Sequence, residues 1–367
     1  MNGLEFLRAA CARPFSAAAA AKAGGQRVVG YVGASVPREL IHAGGAFALL
    51  LAGDPSAATP LSDIYLDDEY DGEIRSLFDQ IGSGACDVAD LIVIPRASNG
   101  LLYLYYSLLA LRQLEPQRRF PELVLYDVLN TPNWTTGQYV LGRTDALHRQ
   151  LGGSFEALRS AIGAENSVRA ALHVLNTRRR TGRLLGSTWW TALRASRVME
   201  PQAWFDAVGM LADEEAPATR LLLKGYGQDT PDLYLLAESL GANVVADDHL
   251  DGERSVQALV LETAEPLVAL ADHYQRRVPT IRSFPQARED AAWLALLEES
   301  RAQGVVFYHE EFDDTFGWDT PGQSARLDAR GLPHVLLSRQ SYRAPDREAQ
   351  RAQLSVLLSA LTERIAP

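Results

Sequence analysis

The sequence predicts an α/β protein of two Rossmann-like lobes, each built on a mostly parallel sheet, joined by a helical segment. Three observations carry this reading. In the first third of the chain, short β-branched or apolar runs alternate with longer helical patterns. That is the signature of βαβ units whose sheet is covered on both faces. A second set of alternations begins near residue 219, and residues 135–211 between the two sets show little strand signal. At 367 residues the chain has the length for two domains, or two domains with a helical insert.

Taken in order, residues 1–26 read as a helical N-terminal arm ending at Gly24-Gly25; the Ala-rich stretch 15–21 is short and lacks the apolar core of a signal peptide. The first lobe is expected over 27–134. Its strands fit 27–32, 47–51, 91–95 and 123–126, and its helices 37–43, 73–81 and 101–114. The first of these helices opens at Pro37 and closes on Gly44-Gly45, the asymmetry that favours Pro in the first turn and Gly just past the end. The bridge is expected over 135–215, where Ala161, Val168, Leu172 and Leu175 recur at helical spacing. The second lobe, 216–367, takes strands at 220–224, 243–246, 304–308 and 334–338, with helices at 232–240, 256–277, 290–303 and 346–363. No repeat of 20–50 residues is evident.

Composition bounds the function. Apolar residues make up 47% and charged residues 22%, ordinary for a globular protein. A net charge of −11 argues against a nucleic-acid partner, which needs clustered Lys and Arg. The one basic run, Arg178-Arg179-Arg180 with Arg183, reads as a solvated helix face. No apolar run approaches the roughly 20 residues that cross a membrane. Cys11 and Cys86 are the only cysteines, too few for a disulfide framework or an all-thiolate cluster, and the expected compartment is the reducing cytoplasm.

In open parallel sheets ligands bind beyond the carboxyl ends of the strands. The rule selects the loop after the first strand, with Ser35 and Glu39, and the loop after strand 91–95, with Arg96, Ser98 and Asn99. It also selects the acidic loop His309-Glu310-Glu311-Phe312-Asp313-Asp314, suited to a cation or a proton transfer if it is more than a solvated loop. Lys224-Gly225-Tyr226-Gly227 reads as a tight βα turn, since a bare Gly-x-Gly is no dinucleotide fingerprint. Asp247-Asp248-His249 reads as a polar loop with a helix cap rather than a metal group. A Gly-x-Ser-x-Gly elbow, a Walker loop and His-Glu-x-x-His are all absent, which disfavours serine hydrolases, P-loop nucleotide hydrolases and zinc proteases.

Residues 30–46, GYVGASVPRELIHAGGA, together with DGEIRSLFDQIGSGACDVADLIVIPRASNG at 71–100, resemble the family of 2-hydroxyacyl-CoA dehydratases and benzoyl-CoA reductases, the D-component of 2-hydroxyglutaryl-CoA dehydratase among them. The resemblance extends over about 27–345. It takes in Arg75-Ser76, Ile94-Pro95, Ala161-Ile162, Asn166, Arg169, the segment 241–245 and the segment 304–307. It departs at the metal ligands: Asp71, Ser98 and Asp313 stand where the family's three cluster cysteines are expected. In the family those cysteines hold a [4Fe-4S] cluster that receives an electron from an ATP-driven activator and passes it to an acyl-CoA thioester. Subunits pair as pseudo-symmetric heterodimers.

The resemblance therefore implies a cluster-less subunit with no cofactor or metal of its own. Its partner would be a cluster-bearing paralogue or a second copy of the chain, and any [4Fe-4S] cluster would belong to that paralogue. Asp71, Ser98 and Asp313 become the candidate catalytic residues, and Ser35, Glu39, Arg96 and Asn99 the candidate substrate-binding residues, with an acyl-CoA as ligand. Two other readings stand beside it. One is a stand-alone non-redox enzyme on acyl-CoA or carboxylate substrates, using Asp71, Asp313 and Glu39 as acid–base groups with Arg96 holding an anion. The other is a purely structural partner. The three oxygen residues are then either drifted loop and cap positions or a new site for a hard cation such as Mg²⁺.

Overall fold

The computed structural model describes residues 2–365 other than Arg282, Phe284 and Asp314, and for Arg364 and Ile365 only the backbone. Asp314 of the acidic loop thus lies outside the described residues. Eight strands are found among the described residues, in two sheets of four, and every pairing is parallel. The first sheet has β1 (Val28–Val32), β2 (Phe47–Leu51), β3 (Leu91–Pro95) and β4 (Glu122–Tyr126) in the order β2-β1-β3-β4. The second has β5 (Thr219–Gly225), β6 (Ala242–His249), β7 (Gly304–Glu310) and β8 (His334–Gln340) in the order β6-β5-β7-β8. The two lobes therefore repeat one topology without repeating sequence.

β1, β2 and β3 are buried at every position, as strands covered by helices on both faces must be. Their side chains pack with Leu77, Phe78 and Ile81 of the helix Gly72–Gly82 and with Leu104, Leu108 and Leu111 of the helix Asn99–Leu114. The second sheet is sandwiched between Leu233, Tyr234, Leu354, Leu357 and Leu361 on one face and Trp293, Leu296, Leu297 and Leu327 on the other.

Four helices, Trp134–Leu151, Phe155–Arg180, Gly186–Ala195 and Pro201–Gly209, make the bridge. The N-terminal helix Gly3–Ala12 seats Leu7 among Leu172, Leu175, Trp189 and Trp204, giving this layer its own core. The longest bridge helix, Phe155–Arg180, ties the lobes together through buried charge. Its Arg169 donates to Glu39 Oε1 at 2.6 Å, and the Tyr274 hydroxyl donates to Glu39 Oε2 at 2.8 Å. Its Glu165 meets Arg38 at 3.2 Å. At the far end Arg179, fully buried, donates to Asp247 at 2.7 Å and to Glu253 at 2.8 Å, with its guanidinium 4.0 Å from the centre of the Trp189 ring.

These contacts correct three sequence readings. The run Arg178-Arg179-Arg180 is no solvated face, because β6 delivers carboxylates to its centre. Asp247-Asp248-His249 are the last residues of β6, buried and hydrogen-bonded, with Asp248 bridged to Lys224 and Arg254. The helix expected over 256–277 begins only at Pro266. Ahead of it, Asn166 clamps the chain by donating to Val260 O at 2.9 Å and accepting from Val260 N at 3.0 Å. That helix, Pro266–Arg276, then packs Leu270 and Tyr274 into the first-lobe core. An additional helix, Phe316–Ala329, carries Pro321 inside it, a residue that reads from sequence as a breaker.

Tyr342, beyond β8, wedges the lobes from the other side. Its hydroxyl donates to Asp229 at 2.7 Å, and a Cβ added at Gly72 would stand 2.2 Å from Tyr342 Cβ, so only Gly admits this approach.

Removing one partner of a buried ion pair costs about 3–5 kcal/mol because the other charge is left without compensation. Arg179→Met, which leaves buried Asp247 with no guanidinium and Glu253 with Arg180 alone, is expected to lower unfolding stability by that amount in urea titrations, whereas Arg149→Met at an exposed pair should change it by less than about 1 kcal/mol.

Candidate functional site

In each sheet the order reverses between the first and third strands of the lobe, at β1/β3 and at β5/β7. At such a point the following helices leave on opposite faces and a crevice opens at the strand carboxyl ends. Here the two crevices face each other. A cavity of about 440 Å³ lies between them, lined by Gly33, Ala34 and Ser35 after β1, Ala97, Ser98 and Asn99 after β3, Tyr226 and Gly227 after β5, and Glu310 and Phe312 at the end of β7.

Six carboxylic side chains line it: Asp67, Glu69, Asp71, Glu73, Asp251 and Glu310. No Lys, Arg or His stands among the described lining residues. Asp67 and Glu69 are exposed, and Asp251 has Arg197 at 3.7 Å. Glu310 is different: it is only 8% exposed, and its carboxyl makes no hydrogen bond or ion pair among the described residues. Burial, followed by the charges of Asp71, Asp229 and Asp313, pushes its pKa up to about 8. Glu73 faces it from the helix Gly72–Gly82 and is likewise driven well above the carboxylate range by burial, then by Asp229, Asp251, Glu310 and Asp71. Tyr70 and Tyr103 meet edge-on, with ring centres 5.9 Å apart, and with Tyr226 and Phe312 they give the cavity its aromatic walls.

Of the residues selected from sequence, Ser35, Asp71, Ser98 and Asn99 line this cavity. Asp313 stands behind it, accepting from the Tyr226 hydroxyl at 2.9 Å and from the amides of Thr315, Phe316 and Gly317 at 3.0, 2.8 and 2.6 Å. Its oxygens satisfy the start of the helix Phe316–Ala329. Ser98 does the same for Asn99–Leu114, its hydroxyl accepting from Leu101 N at 3.0 Å, and Asp71 holds the N-cap position of Gly72–Gly82. A Cβ added at Gly100 would come within 2.9 Å of Asp71 Oδ2, so the first turn of that helix lies directly against this carboxylate.

Glu39 and Arg96 are not in the cavity lining. Glu39 is fully buried against Arg169 and Tyr274, where it fastens the lobe to the bridge. Arg96 turns to Asp127 at 3.4 Å. Sequence reasoning passed over Glu73, Tyr103, Tyr226 and Asp251. It named Glu310 within an acidic loop, but only the two extra residues of β7 reveal that Glu310 closes the strand and points into the crevice.

The donor set does not fit an iron–sulfur cluster, which demands thiolates. Oxygen stands at all three expected ligand positions. Cys86 is fully buried in the first-lobe core, where burial pushes its thiol up to about 12. Cys11, raised to about 11 chiefly by burial, donates to Thr191 O on the bridge. Among the described residues no group of three or more His, Cys, Asp or Glu side chains is arranged to hold a metal ion. No helix among the described residues is long and apolar enough to cross a membrane.

The chain is similar to known proteins. The family described as 2-hydroxyglutaryl-CoA dehydratase, D-component, matches residues 34–365. The (R)-phenyllactyl-CoA dehydratase beta subunit of Clostridium sporogenes is 24% identical over 132 residues, a match that spans 36% of this chain and 35% of that protein's length.

A carboxyl whose folded pKa lies above its unfolded value stabilises the fold only while both states hold the proton. For Glu310 that contribution is complete below about pH 4.5 and is lost as pH rises toward about 8. Glu310→Gln is therefore expected to melt like the parent at about pH 4 and to gain on the order of 2 kcal/mol at about pH 8, a shift of a few degrees in Tm. Thermal melts across that range check it.

Proposed function

We propose that this chain, which belongs to the 2-hydroxyglutaryl-CoA dehydratase D-component family, is a component subunit that carries no cluster of its own and works beside a cluster-bearing paralogue. One observation carries the reading: each position where the family places a cluster cysteine holds an oxygen side chain at a helix N-terminus, and two of the three are committed to backbone amides there. The cavity they flank is roomy, which weighs against a purely structural role.

An acyl-CoA reading is supported by charge outside the cavity. Beyond Pro279, which lines both spaces, a second concavity is lined by Arg254, Arg276, Arg277 and Arg288. Phosphates of a coenzyme A would meet cations there, while the acyl end would enter a space with none among its described lining residues. The same acidity disfavours a carboxylated acyl group inside, and so counts against carboxylate substrates.

A non-redox enzyme remains the second reading, favoured by two facing carboxyls that burial pushes upward, Glu310 to about 8 and Glu73 well above its ordinary value, the direction general acid–base work requires. In that case Glu310 and Glu73 would move protons, with Asp71 beside them. Asp313 and Glu39 would not, since their oxygens are engaged by four and two donors respectively.

Protein purified without oxygen is expected to contain no stoichiometric iron, to lack the iron–thiolate absorbance near about 400 nm, and to co-elute with a three-cysteine paralogue expressed alongside it. A brown sample with roughly four irons per chain, or two chains that elute apart, sinks the reading.

A further inference from the structure

We propose that the cavity between the lobes binds an organic ammonium ion, with Glu310 as its buried counter-charge and the rings of Tyr70, Tyr103, Tyr226 and Phe312 as its walls. The inference rests on the reading that no cluster fills this space, but not on the coenzyme A reading.

Three observations converge on it. The first is the orphan carboxyl of Glu310, more than nine-tenths buried at the end of β7, lining the cavity and meeting no donor among the described residues. A polar group this buried and without a protein partner costs free energy unless water, an ion or a ligand completes it, and this one opens into the cavity. The second is the sign of the surroundings. Asp71 and Glu73 approach from the first lobe, Asp229 and Asp251 follow β5 and β6, and Asp313 lies behind Tyr226. Arg194 engages Asp229, Arg197 lies near Asp251, and Lys224 is bound to Asp248, so none of these cations is directed at Glu310. An anion placed in this cavity would meet like charge from Asp71, Glu73 and Glu310; Arg343 and Arg347 share with Glu310 a separate, neighbouring pocket. A neutral ligand would give Glu310 a hydrogen bond and leave the excess charge standing, whereas a cation relieves both.

The third is the walls. Aromatic faces attract a cation desolvated against them, most strongly where water is excluded, and they accept the apolar body that carries it. A small inorganic cation would use neither rings nor volume, and among the described residues no group of three or more His, Cys, Asp or Glu is arranged to hold one. A cavity of about 440 Å³ holds an amine of ordinary metabolite size. Asn99 and Ser35 supply neutral polar contacts at its β1/β3 edge.

The test compares four probes of nearly one shape by calorimetry on the full chain: 2-phenylethylamine, its trimethylammonium analogue, 2-phenylethanol and 3-phenylpropionate. Both cations are expected to bind at least about tenfold more tightly than the alcohol, and the carboxylate not at all. Glu310→Gln keeps shape and removes the carboxyl that a bound cation would ionise, so it should weaken the cations by about tenfold or more while leaving the alcohol unchanged; Glu73→Gln should weaken them less. Circular dichroism of both variants confirms the fold. Equal binding of alcohol and amine, tighter binding of the carboxylate, no binding of either cation at millimolar concentration, or indifference to Glu310→Gln overturns the proposal. Iron is measured on the same sample: failure with iron present also overturns the cluster-less reading, whereas failure without iron overturns this proposal alone.

Discussion

The geometry of the cleft depends on buried charge along one helix. Phe155–Arg180 presents Glu165 and Arg169 to the first lobe and Arg179 to the second. Ten residues separate Arg169 from Arg179, about 15 Å along a straight helix. That rod fixes the distance between two clamps. At one clamp Glu39 is held by Arg169 and Tyr274; at the other Asp247 is held by Arg179 and the hydroxyl of Tyr234 at 3.1 Å. Buried ion pairs are poor sources of net stability but demanding of geometry, because a small displacement leaves two desolvated charges uncompensated. A hydrophobic contact would tolerate sliding; these do not. Tyr342, wedged against Gly72 from the opposite side, limits the remaining rotation.

Once the lobes are held, the rest of the site follows from topology. Identical strand orders put one switch point in each lobe, and the bridge aims them at one another. Each crevice alone would be a shallow groove of backbone and small residues. Facing each other, they desolvate whatever side chains close the strands, and in the second lobe one of these is Glu310. Its raised pKa is thus a property of the two-lobe arrangement rather than of the loop that bears it. Asp71 comes from one lobe, Asp229 and Asp313 from the other, and only closure brings their fields together.

This explains which parts were legible in the sequence. Strands 47–51 and 91–95 were read to the residue because unbroken apolar runs flanked by turns report burial on both faces. The helix Phe316–Ala329 was hidden by Pro321 and two glycines, local signals overridden by Asp313 capping its start. Asp247-Asp248-His249 and Arg179 looked solvated, since a one-dimensional pattern cannot show that two charged segments 68 positions apart will neutralise each other. Glu39 failed as a ligand-binding candidate for the same reason: its partners, Arg169 and Tyr274, lie 130 and 235 positions away. Ser98 lies at a strand mouth, where the strand-end rule depends on local order alone, whereas Asp71, singled out by the resemblance and not by that rule, stands at the start of the helix Gly72–Gly82.

The three oxygen residues at the expected ligand positions also make physical sense together. Each sits where a helix begins, with amide hydrogens lacking intrahelical partners and the positive end of the helix dipole pointing into the cleft. An anionic cluster at such a junction would satisfy those amides and the field at once. With thiolates absent, the amides still require acceptors. Serine and aspartate are among the side chains best suited to that task, since a short reach brings oxygen onto the second and third amides of the helix. Ser98 and Asp313 do this directly. Replacement by alanine or valine would instead have left several buried donors unmet and loosened the helix starts that shape the cavity. Capping oxygens at these positions therefore meet what the helix starts require.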